Sequence, residues 1–386
     1  MTLALSAAFR PRRLVGLAAA FSLLLTSLPA AAIESTAKQA FIVDFQTGTV
    51  LYTKDADAPM HPSSMSKLMT IYLLFERLKQ GKVKLTDTLP VSERAWKMTG
   101  SKMFTPLNAQ IAIEDLIRGI VIQSGNDACV VVAEGLAGSE EAFVAAMNQK
   151  AKDLGLEHSH FVNSTGWPDP NHLMTARDLA VLARHLIVDF PEYYHYFSEE
   201  SFVYHGIKQG NRNPLLYKDF GADGLKTGHT DDAGFGLTAS AVRDGRRIIM
   251  VLNGLPSMQA RAEEGRRMMD WAYRETENVQ IAKAGQTLEE APVWMGEQPT
   301  VPLALAGTYV VTLPRGARDT LKAKAVFQGP VPAPIAAGQA IGKLVIEAPD
   351  MPPIEVPLVA GAAVPRLGPV GRAFTGLRQL IAGGRS

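Results

Sequence analysis

A serine and a lysine three residues apart are the first side chains in the sequence that could do covalent chemistry together. Ser64-Met65-Ser66-Lys67 begins a stretch with helical apolar spacing, and residues i and i+3 share one face of a helix. Serine is a weak nucleophile until a neighbouring base takes its proton. Lys67 could be that base if burial and a second cation lower the pKa of its amine. The pair predicts a serine acyl-transfer enzyme.

The Ser-x-x-Lys pattern is weak evidence by itself, because so short a motif arises by chance. Ser35-Thr-Ala-Lys38 repeats the pattern outside any helical context. Ser63 is a competing nucleophile, since it lies one helical turn before Lys67. Ser64 is preferred to both because of the motifs that follow it along the chain.

The second motif is Ser124-Gly125-Asn126, which follows an apolar stretch and opens a predicted helix. In that position it could direct a hydroxyl and an amide into a cleft. The alternative is an ordinary helix N-cap, because serine and asparagine both cap helices well. The cap would be the better interpretation if the motif stood alone.

The third motif is Lys226-Thr227-Gly228, followed by His229, at the lip of a predicted strand that begins at Gly234. It could supply a cation, a hydroxyl and, through the glycine, close approach of the backbone to a ligand. The alternative is a solvated loop. Because the three motifs occur together and in this order, they favour an acyl-transfer site.

With their flanking residues, the three motifs closely resemble those of the low-molecular-mass penicillin-binding proteins that are D-alanyl-D-alanine carboxypeptidases. Ser-x-x-Lys, Ser-x-Asn and Lys-Thr-Gly occur in this order in penicillin-binding proteins and in class A β-lactamases. The resemblance covers nearly everything after the first 32 residues, and its most specific segments are 62–67, 124–129 and 223–230.

The resemblance implies a role for each residue of the first two motifs. Ser64 would attack the carbonyl between two D-alanines, and Lys67 would take its proton. Ser124 with Asn126 would relay a proton to the leaving amine and hold the peptide. The backbone N–H groups of Ser64 and His229 would form the oxyanion hole.

The resemblance also implies how a terminal carboxylate is bound. Lys226 and Thr227 would address it, and Arg261 and Arg212 match arginines of the family near the cleft. Each arginine has a plain alternative as a surface charge. A substrate that ends in a free carboxylate does require fixed cations near the cleavage point, which favours an exopeptidase.

Three other functions compete with this one. A class A β-lactamase activates water with a glutamate, and the loop at 163–169 contains none, so fast penicillin hydrolysis is disfavoured. A catalytically silent wall-binding protein need not keep Ser64 together with Lys67. A D,D-endopeptidase that cuts cross-links is the main enzymatic competitor, but a β-rich second domain with a basic tail fits a membrane-held carboxypeptidase better.

Neither a metal nor a cofactor is expected. His158-Ser-His160 could be half of a zinc site, but no helix with a second histidine pair accompanies it, so two surface histidines are the better interpretation. Cys129 is the only cysteine. Because it lies at an apolar helix start, we expect a buried structural thiol.

The elements that must position these motifs predict an α+β fold. Turn residues at 46–48 and 244–245 each separate two short strands, and these two hairpins would join in one antiparallel sheet flanked by helices. The resemblance implies a β-lactamase/transpeptidase-like domain. Apolar periodicity predicts helices at 64–80, 113–122, 127–136, 176–186 and 259–273.

The sequence divides into four segments. Residues 1–32 have the basic start, apolar run and Ala-x-Ala site of a signal peptide; the alternative is an uncleaved membrane anchor, for which the apolar run is short. Residues 33–276 would be the catalytic domain. In 277–364 short alternating segments lie between proline and glycine clusters, which predicts a small all-β sandwich. Residues 365–386 form the last segment.

This last segment is basic and amphipathic. It carries four arginines and no acid, and apolar residues at helical spacing, which are Val370, Phe374, Leu377 and Ile381. A membrane-interface helix attracted to anionic lipid is the favoured interpretation. A disordered basic tail is the alternative, because five glycines weaken the helix propensity.

The net charge and the predicted signal peptide together indicate where the protein acts and on what. Without residues 1–32, 36 basic residues face 38 acidic ones, so nucleic acid is not an expected partner. We expect a peripheral protein on the periplasmic face of the inner membrane. Its expected partners are the pentapeptide stem of peptidoglycan as substrate, β-lactam antibiotics as acylating inhibitors and an anionic membrane surface.

Overall fold

The protein, as a computed structural model, is described for residues 33–217, 219–349 and 351–374. The predicted signal peptide, 1–32, lies outside the described residues. The predicted amphipathic segment, 365–386, is described only as far as residue 374. Within it, residues 369–374 are helical, and the side chains of Val370 and Phe374 are 80% and 75% exposed.

A five-stranded antiparallel sheet joins the two ends of the helix-rich part of the chain, as the two predicted hairpins required. Asp244 and Gly245 both have positive φ, 50° and 77°, which a tight two-residue hairpin turn demands. In spatial order the strands are β2 (Val50–Lys54), β1 (Gln39–Asp44), β9 (Arg246–Leu255), β8 (Gly234–Arg243) and β7 (Ala222–Thr230). Strand β7 is therefore an edge of this sheet.

Seven α-helices are described, and five of them were predicted. They are α1 (Lys67–Lys79), α2 (Glu93–Lys97), α3 (Ile113–Val121), α4 (Asn126–Ala137), α5 (Glu140–Asp153), α6 (Ala176–Asp189) and α7 (Met258–Glu275). Helices α2 and α5 were not predicted. The Oγ atom of Ser139 caps α5 by accepting from the N–H of Ala142, and the helix buries Phe143, Met147 and Ala151.

Two of these helices run through the middle of the core. Residues 67–75 of α1 and 126–133 of α4 are all buried, and the two helices pack against each other. A helix that is buried all round is fixed by its neighbours on every side. The side chains at the starts of α1 and α4 are therefore held rigidly with respect to each other.

Two small hairpins complete this part of the chain. They are β3 (Thr88–Pro90) with β4 (Gln110–Ala112), and β5 (Ser201–Tyr204) with β6 (Ile207–Gly210). Short 3-10 turns occur at Ser63–Ser66 and Tyr194–Ser198. The first of these carries the candidate nucleophile, Ser64, which was predicted to be the first residue of an α-helix.

The remainder of the chain is built from strands. A six-stranded sheet and the pair β10 with β13 enclose one apolar cluster. The strands are β10 (Thr276–Ala282), β11 (Thr287–Trp294), β12 (Thr300–Ala304), β13 (Tyr309–Pro314), β14 (Lys322–Phe327), β15 (Val331–Pro332), β16 (Ala340–Glu347) and β17 (Ile354–Ala360). The predicted fold class, an α+β domain followed by a small all-β domain, is confirmed.

Helix α7 ends at Glu275 and β10 begins at Thr276, close to the boundary expected from the sequence. Because the chain from Ser35 onward groups as one compact unit, the division into domains stays a prediction. In the part of the chain that the structure describes, no helix has the length and apolar character needed to cross a membrane.

Candidate active site

The amine of Lys67 lies at the centre of the candidate site. It donates to the Oγ atom of Ser64 at 2.9 Å, to the Oδ1 atom of Asn126 at 2.8 Å and to the carbonyl oxygen of Thr165. Lys67 is fully buried. Burial, and then the positive charge of Arg212, lower the pKa of its amine to about 8. A lysine in this state can accept a proton near neutral pH.

The structure separates the two serines that compete for the role of nucleophile. Ser64 accepts a hydrogen bond from Lys67, whereas the Oγ atom of Ser63 shares one with the Oγ1 atom of Thr230 at 3.1 Å. Ser64 is also only half-buried and lines an open cleft. The geometry therefore favours Ser64.

Two glycines allow the Ser63–Ser66 turn to lie against the sheet. A Cβ atom at Gly228 of β7 would meet the carbonyl oxygen of Pro62 at 2.8 Å, and one at Gly236 of β8 would meet the Cε atom of Met65 at 2.4 Å. Real Cβ contacts are longer than this. The close approach of the sheet to Ser64 thus depends on glycine at position 228, where the neighbour is backbone, whereas at position 236 the neighbour is the flexible end of the Met65 side chain.

Ser124 precedes α4 and does not cap it. The N-cap residue is Gly125, and Ser124 has a φ of 66° with a buried Oγ atom that has no hydrogen-bond partner among the described residues. The N-cap interpretation of Ser124 is therefore wrong. A buried hydroxyl left without a partner is costly, and a catalytic role is one explanation for such a group.

Asn126 connects the first and second motifs. Its Oδ1 atom accepts from Lys67, and its Nδ2 atom donates to the carbonyl oxygen of Thr99 at 2.8 Å. The next residue, Asp127, is fully buried and accepts from three successive backbone N–H groups of the loop at 103–105. This carboxylate fixes the start of α4 against that loop.

Lys226 and Thr227 lie within β7 and are 3% and 4% exposed. The solvated-loop alternative for the third motif is therefore wrong, and so is its placement at the lip of the neighbouring strand. Burial lowers the pKa of the Lys226 amine well below its usual value, and the positive charges of Lys67 and Arg212 lower it further. The residue pairs with Thr238 of β8.

Arg261 is buried rather than a surface charge of α7, so that alternative is wrong. It is 4% exposed, and its Nη2 atom donates to the carbonyl oxygen of Arg212 at 3.3 Å. Its Nε atom is buried without a partner in the described chain. Burial, and then the charge of Arg212, lower the pKa of its guanidinium to about 10.

Arg212 reaches the other wall of the cleft. Its Nη1 atom donates to the Oγ atom of Ser101 at 2.7 Å. The residue as a whole is exposed, but burial of its guanidinium end lowers the pKa of that group. Its charge acts on Lys67, Lys226 and Arg261, so the four cations share one region.

None of these four cations is salt-bridged to a carboxylate within the described residues. Three of them, Lys67, Lys226 and Arg261, are buried, and positive charges that are buried near one another without a counter-ion are unfavourable. An anion that entered the cleft would remove this cost. The site is thus prepared to bind a negatively charged group.

The loop at 163–169 lines the cleft, and its role in positioning was not predicted. The Oδ1 atom of Asn163 accepts from the backbone N–H groups of Thr165, Gly166 and Trp167. This turn aims the carbonyl oxygen of Thr165 at Lys67. The indole of Trp167, which is 45% exposed, lines the cleft. The Asn-Ser-Thr-Gly sequence was the available signal for such a turn.

Three further residues named from the sequence are His229, Cys129 and His160. His229 lines the cleft and stacks on Phe235, with ring centroids 3.8 Å apart. Cys129 is fully buried, as expected for a structural thiol, and burial raises its pKa to about 12. The Nδ1 atom of His160 contacts the carbonyl oxygen of Asn171. No group of three potential metal-binding side chains lies together in the described chain.

A serine hydroxyl bonded to a buried lysine, beside the edge strand of an antiparallel sheet flanked by helices, defines a serine acyl-transfer enzyme with the transpeptidase-like fold. Residues 26–256 match the family described as D-alanyl-D-alanine carboxypeptidase, and residues 277–366 match the C-terminal domain of penicillin-binding protein 5. The chain belongs to the D-alanyl-D-alanine carboxypeptidase family of serine peptidases.

Individual relatives agree with this assignment. The chain is 37% identical over 320 residues to D-alanyl-D-alanine carboxypeptidase DacA of Haemophilus influenzae, an alignment that covers 81% of each chain. It is 37% identical over 317 residues to DacA of Escherichia coli K12, covering 80% of this chain and 78% of the relative. The crystal structure of penicillin-binding protein 5 from H. influenzae matches with a TM-score of 0.79 and 35% identity, over 87% of this chain and 99% of that one.

Proposed function

We propose that this enzyme removes the terminal D-alanine from peptidoglycan pentapeptide stems through an acyl-Ser64 intermediate. The observation that carries the proposal is the hydrogen bond from the buried amine of Lys67 to the Oγ atom of Ser64. In the neutral form of Lys67, that contact reverses and the amine accepts the proton of the serine. The penicillin-binding and carboxypeptidase names of the relatives supply the substrate class.

Acylation begins when the Oγ atom of Ser64 attacks the carbonyl carbon between the last two D-alanines. The proton of Ser64 moves to Lys67, and the new C–O bond forms as the carbonyl oxygen becomes an oxyanion. Backbone N–H groups of Ser64 and His229, two residues that line the cleft, would stabilise this charge. The C–N bond then breaks, and D-alanine leaves.

The leaving nitrogen needs a proton before it departs as an amine. Ser124 is suited to relay to it the proton that Lys67 took from Ser64, because its buried hydroxyl has no partner in the described residues and can turn toward the leaving group. This transfer leaves Lys67 neutral again. Asn126, held by Lys67 and by Thr99, would hold the peptide beside this relay. Water then attacks the acyl ester, with Lys67 as its proton acceptor, and regenerates Ser64.

The four cations that have no carboxylate partner within the described residues explain a preference for a substrate peptide with a free carboxyl terminus. Lys226 with Thr227 on β7, and Arg261 with Arg212 across from them, would bind the terminal carboxylate of the leaving D-alanine. Hydrogen bonds of this charged type are shorter and stronger than neutral ones. Since β7 is an edge strand, an extended peptide can also lie along its unpaired side.

A β-lactam carries both an acyl group for Ser64 and a carboxylate for the same cations. We propose that penicillins acylate Ser64. No glutamate lies in the loop at 163–169, where a class A β-lactamase would use one to activate water. Fast hydrolysis of the penicilloyl-enzyme is therefore disfavoured.

The enzymatic proposal is tested by D-alanine release from a diacylated peptide that ends in D-Ala-D-Ala. The wild-type chain should release one D-alanine for each peptide, and Ser64→Ala should release none. The same peptide with a C-terminal amide should be cleaved far more slowly. No release from the free carboxylate peptide would contradict the proposal and favour a silent binding module. Cleavage of a cross-linked dimer in preference to this peptide would favour the endopeptidase.

We also propose that the protein is exported and acts at the periplasmic face of the inner membrane, held there by its last segment. The support is the leader sequence, the excess of arginine after residue 365 and the exposed side chains of Val370 and Phe374. The full chain should sediment with anionic vesicles and not with neutral ones. Val370→Ser combined with Phe374→Ser should weaken that binding, since it removes apolar contact area. Equal binding by the double variant would contradict the anchor.

A further inference from the structure

A second pocket adjoins the catalytic cleft at the end of β7 that is remote from Lys226. Trp167, Pro168 and Thr230 line both cavities, so the two are adjacent. The other walls of the second pocket come from the segment just before Ser64, from the loop that follows Trp167 and from Asp232. The proposed function assigns no role to this pocket.

The charge of the second pocket is opposite to that of the carboxylate-binding end. Asp169 and Asp232 lie in its walls, and none of its lining residues in the described chain is a lysine or an arginine. Beyond Lys226, the opposite end of the cleft carries buried cations. A substrate that lay along β7 would therefore meet positive charge at its carboxyl terminus and negative charge upstream.

His172 supplies an independent observation that points to a hydrogen-bonding ligand. The residue lines the pocket and is 2% exposed, and its Nδ1 atom accepts from the N–H of Val162 at 3.3 Å. The hydrogen of the neutral imidazole is then on Nε2. That atom is buried and has no hydrogen-bond partner among the residues that the structure describes. Burial lowers the pKa of His172 to about 4, so the ring stays neutral and keeps one unused donor.

We propose that the second pocket binds the side chain of the stem residue that precedes the two D-alanines, and that it selects a side chain ending in an ammonium group. This inference rests on the proposed function, because it assumes a stem peptide in the cleft. Asp169 and Asp232 attract the ammonium group. The Nε2–H group of His172 is available to a carbonyl or carboxylate oxygen of the same residue.

The dimensions of β7 agree with this register. Thr230 lies four residues beyond Lys226, which is about 13 Å along a strand. An extended peptide advances by about 3.3 Å per residue, so the third residue from the carboxylate lies about 7 Å upstream. A long side chain with four or five heavy atoms covers the rest of that distance.

The test compares two peptides that differ only in whether one lysine side-chain amine is acetylated. Both end in D-Ala-D-Ala, and the residue before is lysine in one and Nε-acetyl-lysine in the other. We expect kcat/KM of the wild-type enzyme to be about fivefold higher for lysine at low salt, because two partly exposed carboxylates attract the ammonium group. In the double variant Asp169→Asn with Asp232→Asn, that ratio should fall to about one.

Two controls separate recognition from structural damage. Glu290→Gln removes one negative charge from an exposed position in the strand-rich part of the chain and should keep the wild-type ratio. The rate of acylation by a penicillin, which lacks a stem residue, should be the same in the double variant and the wild type. If that rate fell in parallel with both peptides, the aspartates would support the loop and the inference would be overturned.

The remaining outcomes are also decisive. A wild-type ratio near one, or a ratio that persists in the double variant, would overturn the inference while leaving the carboxypeptidase proposal intact. If neither peptide released D-alanine, the proposed function itself would fail. Loss of the preference for lysine in 0.5 M salt would agree with electrostatic selection.

Discussion

The backbone of Gly228 lies so close to that of Pro62 that a Cβ atom at position 228 would be 2.8 Å from the carbonyl oxygen of Pro62. Pro62 immediately precedes the Ser63–Ser66 turn. The Lys-Thr-Gly strand therefore sets the position of the turn that carries Ser64. Glycine in the third motif acts through packing as well as through any contact with substrate.

Gly228→Ala should displace the turn and slow the acylation of Ser64 by about 100-fold, since a misplacement of about 1 Å can have that effect. Overpacking of this type also reduces the free energy of unfolding by about 1–3 kcal/mol. Gly307→Ala is the matched control, because no atom lies within 4 Å of a Cβ atom built there. Wild-type acylation in Gly228→Ala, measured with a fluorescent penicillin, would contradict this account of the turn.

The acylation rate should rise with pH, because only the neutral amine of Lys67 can accept the proton of Ser64. With the pKa of Lys67 lowered to about 8, the rate should increase about tenfold per pH unit below 8 and level off above it. Stopped-flow acylation by a penicillin between pH 6 and 9.5 measures this dependence. Lys67→Arg keeps the charge but cannot lose a proton, so it should be inactive throughout. A flat profile in the wild type would mean that Lys67 is not the proton acceptor.

Removal of Arg261 should weaken the recognition of a terminal carboxylate. Arg261→Ala should lower kcat/KM for a D-Ala-D-Ala peptide about 10- to 100-fold, in line with the loss of one hydrogen bond between charged groups. The slow cleavage of the amidated peptide should change far less. Arg274→Ala, an exposed arginine on the same helix, is the control and should match the wild type. Equal losses on both peptides would assign Arg261 a structural role only.

Asp127 should be essential to stability rather than to chemistry. Both of its carboxylate oxygens accept backbone N–H groups, those of Met103, Phe104 and Thr105 among them. In Asp127→Asn an NH2 group would face one of these donors, which should lower the free energy of unfolding by about 2–3 kcal/mol. Urea unfolding measures the change, and Asp153→Asn, at an exposed position of α5, should change stability by less than about 0.5 kcal/mol. An unaffected unfolding midpoint in Asp127→Asn would contradict the role of this carboxylate.

Local patterns in the sequence predicted much of the fold. Apolar periodicity located α1, α3, α4, α6 and α7, and the Asp244-Gly245 dipeptide located the turn between β8 and β9. Helix α5 was missed although its buried residues, Phe143, Met147 and Ala151, are four apart, because the further apolar residues at 142 and 144–146 obscure a single apolar face. Strand β7 was missed because its sequence is rich in glycine and polar residues, and its conformation depends on pairing with β8.

The sequence predicted the candidate site less well where the site depends on how helices pack against the sheet. The spacing of Ser64 and Lys67 suggested their contact, which the structure contains. The burial of Arg261 depends on how α7 lies on the sheet, which no local pattern encodes. The contribution of Thr165 is a backbone carbonyl oxygen, a group that every residue has. The catalytic roles of all these residues stay predictions until they are tested.

The most direct test of the central claim is the intact mass of the protein after brief exposure to a penicillin. We expect the wild type and Ser63→Ala to gain the mass of one drug molecule, and Ser64→Ala to gain none. Release of D-alanine from the D-Ala-D-Ala peptide should be lost in the same variant. An adduct that persists in Ser64→Ala, or no adduct in the wild type, would contradict the assignment of Ser64 as the nucleophile.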